Sequence, residues 1–162
     1  MKIILFASFL VLIDAPPQKN SLVAAIDKSN FVGFLYHDRL ATNDDPVFKA
    51  VEVFKGNIYM VIDRNGEIPI NNDDLYLVVG NTYDYFLSNV NYPVSAVKKL
   101  PQAALDVLQT LPCYDEAVKR EYENMVCTRQ YEPICGCDNK AYGSICEMHK
   151  RGIIRFRAGD CR

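Results

Sequence analysis

Cysteine is the residue type best suited to covalent chemistry in this chain, and all six copies lie in the last fifty residues. The first is Cys113, and four of the six fall between Cys127 and Cys146. A segment of this length cannot bury enough apolar surface to offset its conformational entropy. We therefore expect disulfide cross-links to set its shape. Six cysteines allow many different pairings, and the residues alone do not choose among them.

Zinc binding is the competing use for these side chains. The candidate ligands are Cys135, Cys137, Cys146 and His149. Structural zinc sites usually combine two Cys-x2–4-Cys pairs, and Cys-x-Cys with one distant cysteine fits that spacing less well. Cross-linking is therefore the favoured interpretation, and we expect neither a metal nor another cofactor.

The first 112 residues offer little catalytic chemistry. His37 is their only histidine, and its neighbour Asp38 would point to the opposite face of a strand. Two aspartate pairs, at residues 44–45 and 73–74, lack the spaced oxygen ligands and the glycine of a calcium loop. No nucleophile-elbow or zinc-protease motif occurs in the sequence, so we do not expect an enzyme.

Length and charge limit the classes of protein that need be considered. The chain has 162 residues, room for one ordinary domain or two small ones. Its 18 basic and 20 acidic side chains give a net charge of −2, which argues against nucleic acid as the main partner. Because no cysteine precedes Cys113, we predict two domains, at residues 26–112 and 113–162.

The N-terminus has the pattern of a secretory signal peptide. Met1 and Lys2 precede an apolar run at residues 3–13, which is shorter than the ~20 residues of a membrane-spanning helix. We predict a signal peptide at residues 1–15, although a small-residue cleavage pattern extends to residue 25. The alternative is that residues 3–13 form a buried strand of a cytosolic domain. The cysteine count favours a secreted protein with no stable membrane insertion in its mature form.

The first domain is predicted to be rich in antiparallel strands, with one helix at residues 103–111, where apolar side chains recur at spacings of three and four. Asn65-Gly66 favours a tight hairpin turn. We recognise no family in this part of the chain. The predicted strands cover residues 31–36, 47–54, 58–62, 67–70, 75–79 and 83–87.

The cysteine-rich segment resembles the reactive-loop region of the Kazal family of serine protease inhibitors. The resemblance covers about residues 113–162 and implies a small α+β module, with a short antiparallel sheet and one helix. The closing Gly159-Asp160-Cys161 is similar to the end of the family pattern. The other residues that carry it are Tyr131, Glu132, Pro133, Cys135, Gly136, Asp138, Tyr142 and Cys146.

The cysteine positions depart from the usual family pattern in two places. His149 stands where the family usually has its fifth cysteine, and Cys137 stands where it has none. A Cys-Gly-Cys-Asp variant of Kazal-like modules keeps the number of cysteines even. By resemblance the expected pairs are Cys127–Cys146, Cys135–Cys161 and Cys113–Cys137.

The resemblance also implies a mechanism. The reactive loop would be Thr128, Arg129, Gln130 and Tyr131, with Arg129–Gln130 as the bond presented to the protease. An arginine that enters the primary specificity pocket implies a trypsin-like serine protease as the partner. Ser144 stands where the family usually has an asparagine that supports the loop, so the loop is expected to be softer. The alternative function is a non-inhibitory extracellular binding or scaffold module.

Overall fold

The computed structural model describes residues 19–40, 45–58, 60–71 and 73–161, so the predicted signal peptide lies outside the described residues. It confirms the α+β class. The helices are α1 (Lys19–Lys28), α2 (Gln102–Gln109), α3 (Glu116–Tyr122) and α4 (Ile145–His149), with a short 3-10 helix at Val97–Lys99. The strands are β1 (Phe31–His37), β2 (Val47–Lys55), β3 (Met60–Ile62), β4 (Tyr76–Tyr83), β5 (Phe86–Val90), β6 (Ser95–Ala96), β7 (Ile134–Gly136), β8 (Ala141–Tyr142) and β9 (Phe156–Ala158).

Strands β1 to β5 close into a small barrel. Strands β1, β2 and β3 follow one another as antiparallel neighbours, and β4 returns to pair with the free side of β1. This is Greek-key connectivity. β5 pairs with β4 and closes the ring through a parallel bridge from Phe86 to Ile62 on β3. Five strands closed in this way form an OB-fold type of barrel, in which the β3–β5 pair departs from the predicted antiparallel order.

The barrel strands β1 and β4 read as nearly continuous apolar runs because both of their faces are buried. On β1, Phe31 and Leu35 point into the barrel, while Val32 and Phe34 pack outside it. The outer face is covered by α1 and α2, which contribute residues such as Leu22 and Leu108. Helix α1 was not predicted, and the predicted start of the first domain at residue 26 lies inside it.

The predicted hairpin at Asn65-Gly66 is wrong, because residues 67–70 form no strand. The Asp63 carboxylate accepts hydrogen bonds from the backbone N–H groups of Asn65, at 3.2 Å, and Ile68, at 2.6 Å. These bonds fold the segment into a local turn, since aspartate competes well for nearby backbone donors. The turn places Ile68, which is buried, in the apolar cluster inside the barrel.

The cysteine-rich module, residues 113–161, extends the sheet of the barrel. β7 pairs with β8 and β9, and β9 in turn pairs with the end of β2 through Phe156 opposite Val53. Met148 and Phe156 belong to the same buried cluster as the interior of the barrel. The module carries two helices, α3 and α4, where one was expected. The residues on the two sides of the predicted boundary near Pro112 therefore share one sheet and one apolar cluster.

A buried arginine adds polar contacts at this junction. Arg155 is 8% exposed, and its guanidinium donates to the carbonyl oxygens of Gln109 at 3.1 Å and Leu111 at 2.8 Å. These carbonyls lie at and just beyond the C-terminal end of α2, where the last carbonyl groups of a helix have no intrahelical N–H partner. Burial lowers the pKa of Arg155, and Glu52 nearby opposes that shift. A side chain of the module thus completes the end of a helix that packs on the barrel.

Candidate functional site

Three disulfides hold the cysteine-rich module, and they join the pairs that the resemblance implies. They are Cys113–Cys137, Cys127–Cys146 and Cys135–Cys161, with Cα–Cα distances of 5.8, 5.7 and 4.8 Å. These distances lie within the usual range for disulfides. Cys135, Cys137 and Cys146 are all used in these bonds, so none of them offers zinc a thiolate.

The predicted reactive loop lies on the surface of the module. Thr128, Arg129, Gln130 and Tyr131 are all exposed and belong to no helix or strand, and Tyr131 is 74% exposed. Arg129 makes no hydrogen bond or ion pair with the residues that the structure describes. The Gln130 side-chain amide donates to the Glu132 carboxylate at 2.8 Å. The four side chains are therefore available to a partner.

The two ends of this loop are anchored close together. Before the Arg129–Gln130 bond, the disulfide ties Cys127 to Cys146 on α4. After that bond, the Glu132 N–H donates to the Gly143 carbonyl at 2.8 Å. Gly143 and Cys146 are three positions apart in the sequence, so both ends of the loop are held by one short segment. This backbone anchor was not predicted, and we see no signal in the sequence that identifies it.

Ser144 caps α4, the helix that carries Cys146 and so one of the two anchors of the loop. Its hydroxyl accepts a hydrogen bond from the Glu147 N–H at 3.2 Å, which makes it the N-cap of α4. The Glu147 carboxylate accepts from the Gly143 N–H at 3.1 Å, so the two side chains act much like a capping box. Within the described part of the chain, no hydrogen bond joins the Ser144 hydroxyl to a carbonyl of the loop. Any support that Ser144 gives to the loop is therefore indirect.

A glycine, an aspartate and a tyrosine of the motif pack together at the turn between β7 and β8. The Tyr142 hydroxyl donates to the Asp138 carboxylate at 2.8 Å. Burial, and next this hydrogen bond, raise the pKa of Tyr142 to about 12. A side chain at Gly136 would come within 2.6 Å of the Asp138 carboxylate and 2.9 Å of the Tyr142 ring. Any larger residue at position 136 would force this pair to shift.

The other candidate residues do not assemble into a site. The Asp38 carboxylate forms an ion pair with Lys49 at 2.9 Å, and this hydrogen bond lowers the pKa of Asp38. The His37 ring packs 5.4 Å from the ring of Phe48.

The aspartate pairs considered for calcium also meet basic side chains. Asp45 pairs with Arg64 at 2.8 Å and Asp73 with Arg39 at 3.2 Å. Asp74 pairs with Lys98. Each of these carboxylates is engaged with a cation of the protein itself, and Asp44 lies outside the described residues.

Comparison with known proteins identifies the module. Residues 119–158 match the model of the Kazal-type serine protease inhibitor domain. The C-terminal module is Kazal-like. A relative, the turripeptide Gsg9.2 of Gemmula sogodensis, is 40% identical over 43 residues. That alignment covers 23% of this chain and 61% of the turripeptide, so the chain spans less than two thirds of the relative's length.

The dense cross-linking of the module is typical of one cellular setting. Disulfides persist mainly in oxidising compartments, and extracellular proteins are the usual setting for a module so densely cross-linked. Among the described residues, no helix is both long enough and apolar enough to cross a bilayer.

Proposed function

We propose that this protein is a secreted inhibitor of trypsin-like serine proteases that binds as a substrate would, through residues 128–131. The observation that carries the proposal is the exposure of Arg129 between two anchors, Cys127 and Glu132, that hold both sides of the loop on residues 143–146. The match of residues 119–158 to a Kazal-type inhibitor domain supports it independently.

Arginine at the centre of the loop specifies the class of protease. A guanidinium presents a planar set of donors that matches a carboxylate in two parallel hydrogen bonds. A primary specificity pocket with a carboxylate at its base, as in trypsin-like enzymes, would therefore accept Arg129. Arg129 has no ion pair within the described part of the chain, so no such pair would have to break when the guanidinium enters the pocket.

Anchoring on both sides of the Arg129–Gln130 bond explains how a substrate-like loop would inhibit. A loop already held in shape loses little conformational entropy when it binds, which favours affinity. If the protease cleaves the bond, Cys127 and Glu132 keep the two new ends attached to one segment. The new amine then stays beside the acyl-enzyme and re-forms the peptide bond, so hydrolysis stalls.

The protein would be secreted and would not itself be an enzyme. The apolar run at residues 3–13 and the three disulfides support secretion. An inhibitor of this kind needs no catalytic residue, because the attacking group belongs to the protease. Its partner is the protease, rather than nucleic acid or a membrane.

The experiment is a set of inhibition constants against trypsin, chymotrypsin and an elastase-like protease. Arg129→Leu should weaken trypsin inhibition by about 2–5 kcal/mol, because the pocket carboxylate is left unpaired. The same variant should bind chymotrypsin better, and Arg129→Lys should remain a trypsin inhibitor because the charge survives. Arg151→Leu, at an exposed arginine of the module outside the loop, is the matched control and should change neither constant.

Cleavage kinetics separate an inhibitor from a module that merely carries an exposed arginine. An inhibitor should be cut slowly and reversibly at Arg129–Gln130. If the parent does not inhibit trypsin, or if Arg129→Leu inhibits trypsin as well as the parent does, the proposal is wrong. The non-inhibitory binding or scaffold function would then be the better one.

A further inference from the structure

A cavity with a volume of about 520 Å³ lies where the barrel meets the Kazal-like module. The barrel side contributes residues of α1 and of the end of β2, and the module side contributes α3, α4 and the chain around Pro112. Apolar and aromatic side chains form much of the wall. They are Ile26, Phe54, Leu111, Val118, Tyr122 and Ile154.

One wall of this cavity holds a buried histidine that lacks hydrogen bonds. His149 is 3% exposed, and neither ring nitrogen has a hydrogen-bond partner among the described residues. Its ring packs edge to face on the ring of Tyr122, with the centroids 4.8 Å apart. Buried polar groups are almost always hydrogen-bonded in folded proteins, so an unsatisfied imidazole beside a cavity points to a missing partner.

The charges that line the cavity are mainly negative. Asp27, Asp115 and Glu121 contribute three carboxylates, against the single ammonium of Lys55. The Lys55 ammonium also donates to the Ile26 carbonyl at 2.9 Å, and the Asp115 carboxylate caps α3 through the Ala117 N–H. Asp27 and Glu121 are exposed, with no hydrogen bond or ion pair to the described residues, so they can face a cation.

We propose that this junction cavity is a binding site for a small aromatic or aliphatic amine, with its apolar body against Phe54 and Val118. A polar group of the ligand would hydrogen-bond to the His149 imidazole, and its ammonium would lie near Asp27 and Glu121. The size of the cavity suits a small organic molecule, and its walls combine apolar surface with a few polar groups as ligand sites usually do. The site is separate from residues 128–131, so it does not rest on the proposed inhibition.

Three indole probes whose side chains carry different charges test the proposal on the full chain. Tryptamine is a cation, 3-methylindole is neutral and indole-3-propionate is an anion. The protein has no tryptophan, so indole fluorescence reports the probe alone. Tryptamine should show a blue shift and a rise in anisotropy, and should bind about tenfold more tightly than indole-3-propionate.

Variants assign the two polar contacts. Glu121→Gln should weaken tryptamine binding about threefold, by loss of one partly exposed charge pair, and leave 3-methylindole unchanged. Glu123→Gln is its matched control, because that exposed glutamate is not among the residues that line the cavity. His149→Phe keeps a ring beside Tyr122 but removes both nitrogens, and should weaken tryptamine binding. Arg129→Leu should leave tryptamine binding unchanged.

Nuclear magnetic resonance of the parent tests whether tryptamine contacts His149, even if the His149→Phe variant does not fold. The chain has two histidines, so the ring signals of His149 should shift as tryptamine is added while those of His37 remain in place. The proposal is overturned if none of the probes binds at millimolar concentration, if all three bind equally, or if the His149 signals do not move at saturation.

Discussion

The barrel contains no cysteine and is held by apolar burial on two faces, whereas the Kazal-like module has three disulfides in fewer than fifty residues. In the barrel, Phe31 and Phe48 are completely buried, and neighbouring residues of the same strands pack under α1 and α2. In the module, α3 has no buried residue at all. Covalent links thus allow the module to expose side chains such as those of residues 128–131.

The two regions nevertheless share an interior. Strand β2 pairs with β3 at its start and with β9 of the module near its end. Met148 is completely buried in the cluster that also contains the barrel residue Phe31. The contrast between apolar packing and disulfides is therefore a contrast between two parts of one sheet. How independent the parts are can be measured.

Separating the two regions is the largest perturbation. We expect residues 113–162 to fold alone under oxidising conditions, because all three disulfides lie within them. The fragment should melt at a lower temperature than the module does in the full chain, because Met148 and Phe156 lose their cover from the barrel. Calorimetry and disulfide mapping of the fragment test this expectation. A fragment that cannot form the native disulfides would show that the barrel completes its core.

Loss of apolar packing should affect the barrel strongly. Phe48→Ala should lower the free energy of unfolding by about 3–5 kcal/mol, because it removes a fully buried ring and leaves a cavity. The control Tyr83→Ala, at a side chain that is 76% exposed, should change it by less than about 0.5 kcal/mol. Urea unfolding of both variants gives the comparison. Equal effects would contradict the two-faced burial described for the barrel.

Loss of one disulfide should destabilise the module by an amount that grows only slowly with the length of the loop that it closes. Replacing Cys127 and Cys146 by serine should cost about 3 kcal/mol of stability on the chain-entropy model, for a sequence separation of 19. It should also let trypsin cut the loop rapidly, because one of the two anchors is gone. The control is the Cys113 and Cys137 double variant, whose disulfide spans 24 positions and does not hold the loop. If both double variants are cut at the same rate, the anchor at Cys127 has no special role.

Acid should weaken the junction through His149. Burial lowers its pKa to about 4 in the folded protein, against about 6.5 in an unfolded chain. Between these values the unfolded chain binds more protons, so stability is complete above pH 6.5 and falls as the pH drops to 4, by about 3 kcal/mol at most.

The measurement is the free energy of unfolding against pH for the parent and for His149→Phe. The other ionisable groups that line the cavity with His149 are Asp27, Lys55, Asp115, Glu121 and Tyr122, and the variant retains all of them. The parent should lose more stability than the variant between pH 6.5 and 4.5. Parallel pH profiles would mean that His149 is not the group responsible.

The smallest expected effect concerns the cap of α4. Ser144→Ala should cost about 1 kcal/mol, because the hydroxyl no longer accepts the Glu147 N–H. Ser144→Asp should restore most of that stability, since aspartate is also a good N-cap. Thermal melts of the three proteins test the capping role. A stronger effect on trypsin inhibition than on stability would instead favour direct support of the loop.

Local sequence patterns predicted some elements of the first domain correctly and others wrongly. Strands β1 and β4 were predicted because burial on both faces leaves apolar runs in them, and β2 because its apolar and polar side chains alternate, although imperfectly. The hairpin at Asn65-Gly66 was predicted wrongly because a single side chain, Asp63, captures the backbone donors that follow it. Helix α1 was missed because the small residues 23–25 within it also fit a signal-peptide cleavage pattern.

The cysteine framework, the Kazal-like motif and the position of Arg129 could be found without the structure, because these depend on residue types at short and regular spacings. The pairing of β4 with β1 and of β9 with β2 emerged from the tertiary structure, because strand pairing depends on contacts between residues far apart in the chain. So did the hydrogen bond from Glu132 to Gly143 and the cavity that His149 lines. Backbone hydrogen bonds and unfilled space depend on how segments pack, and neither has a signature in the order of side chains.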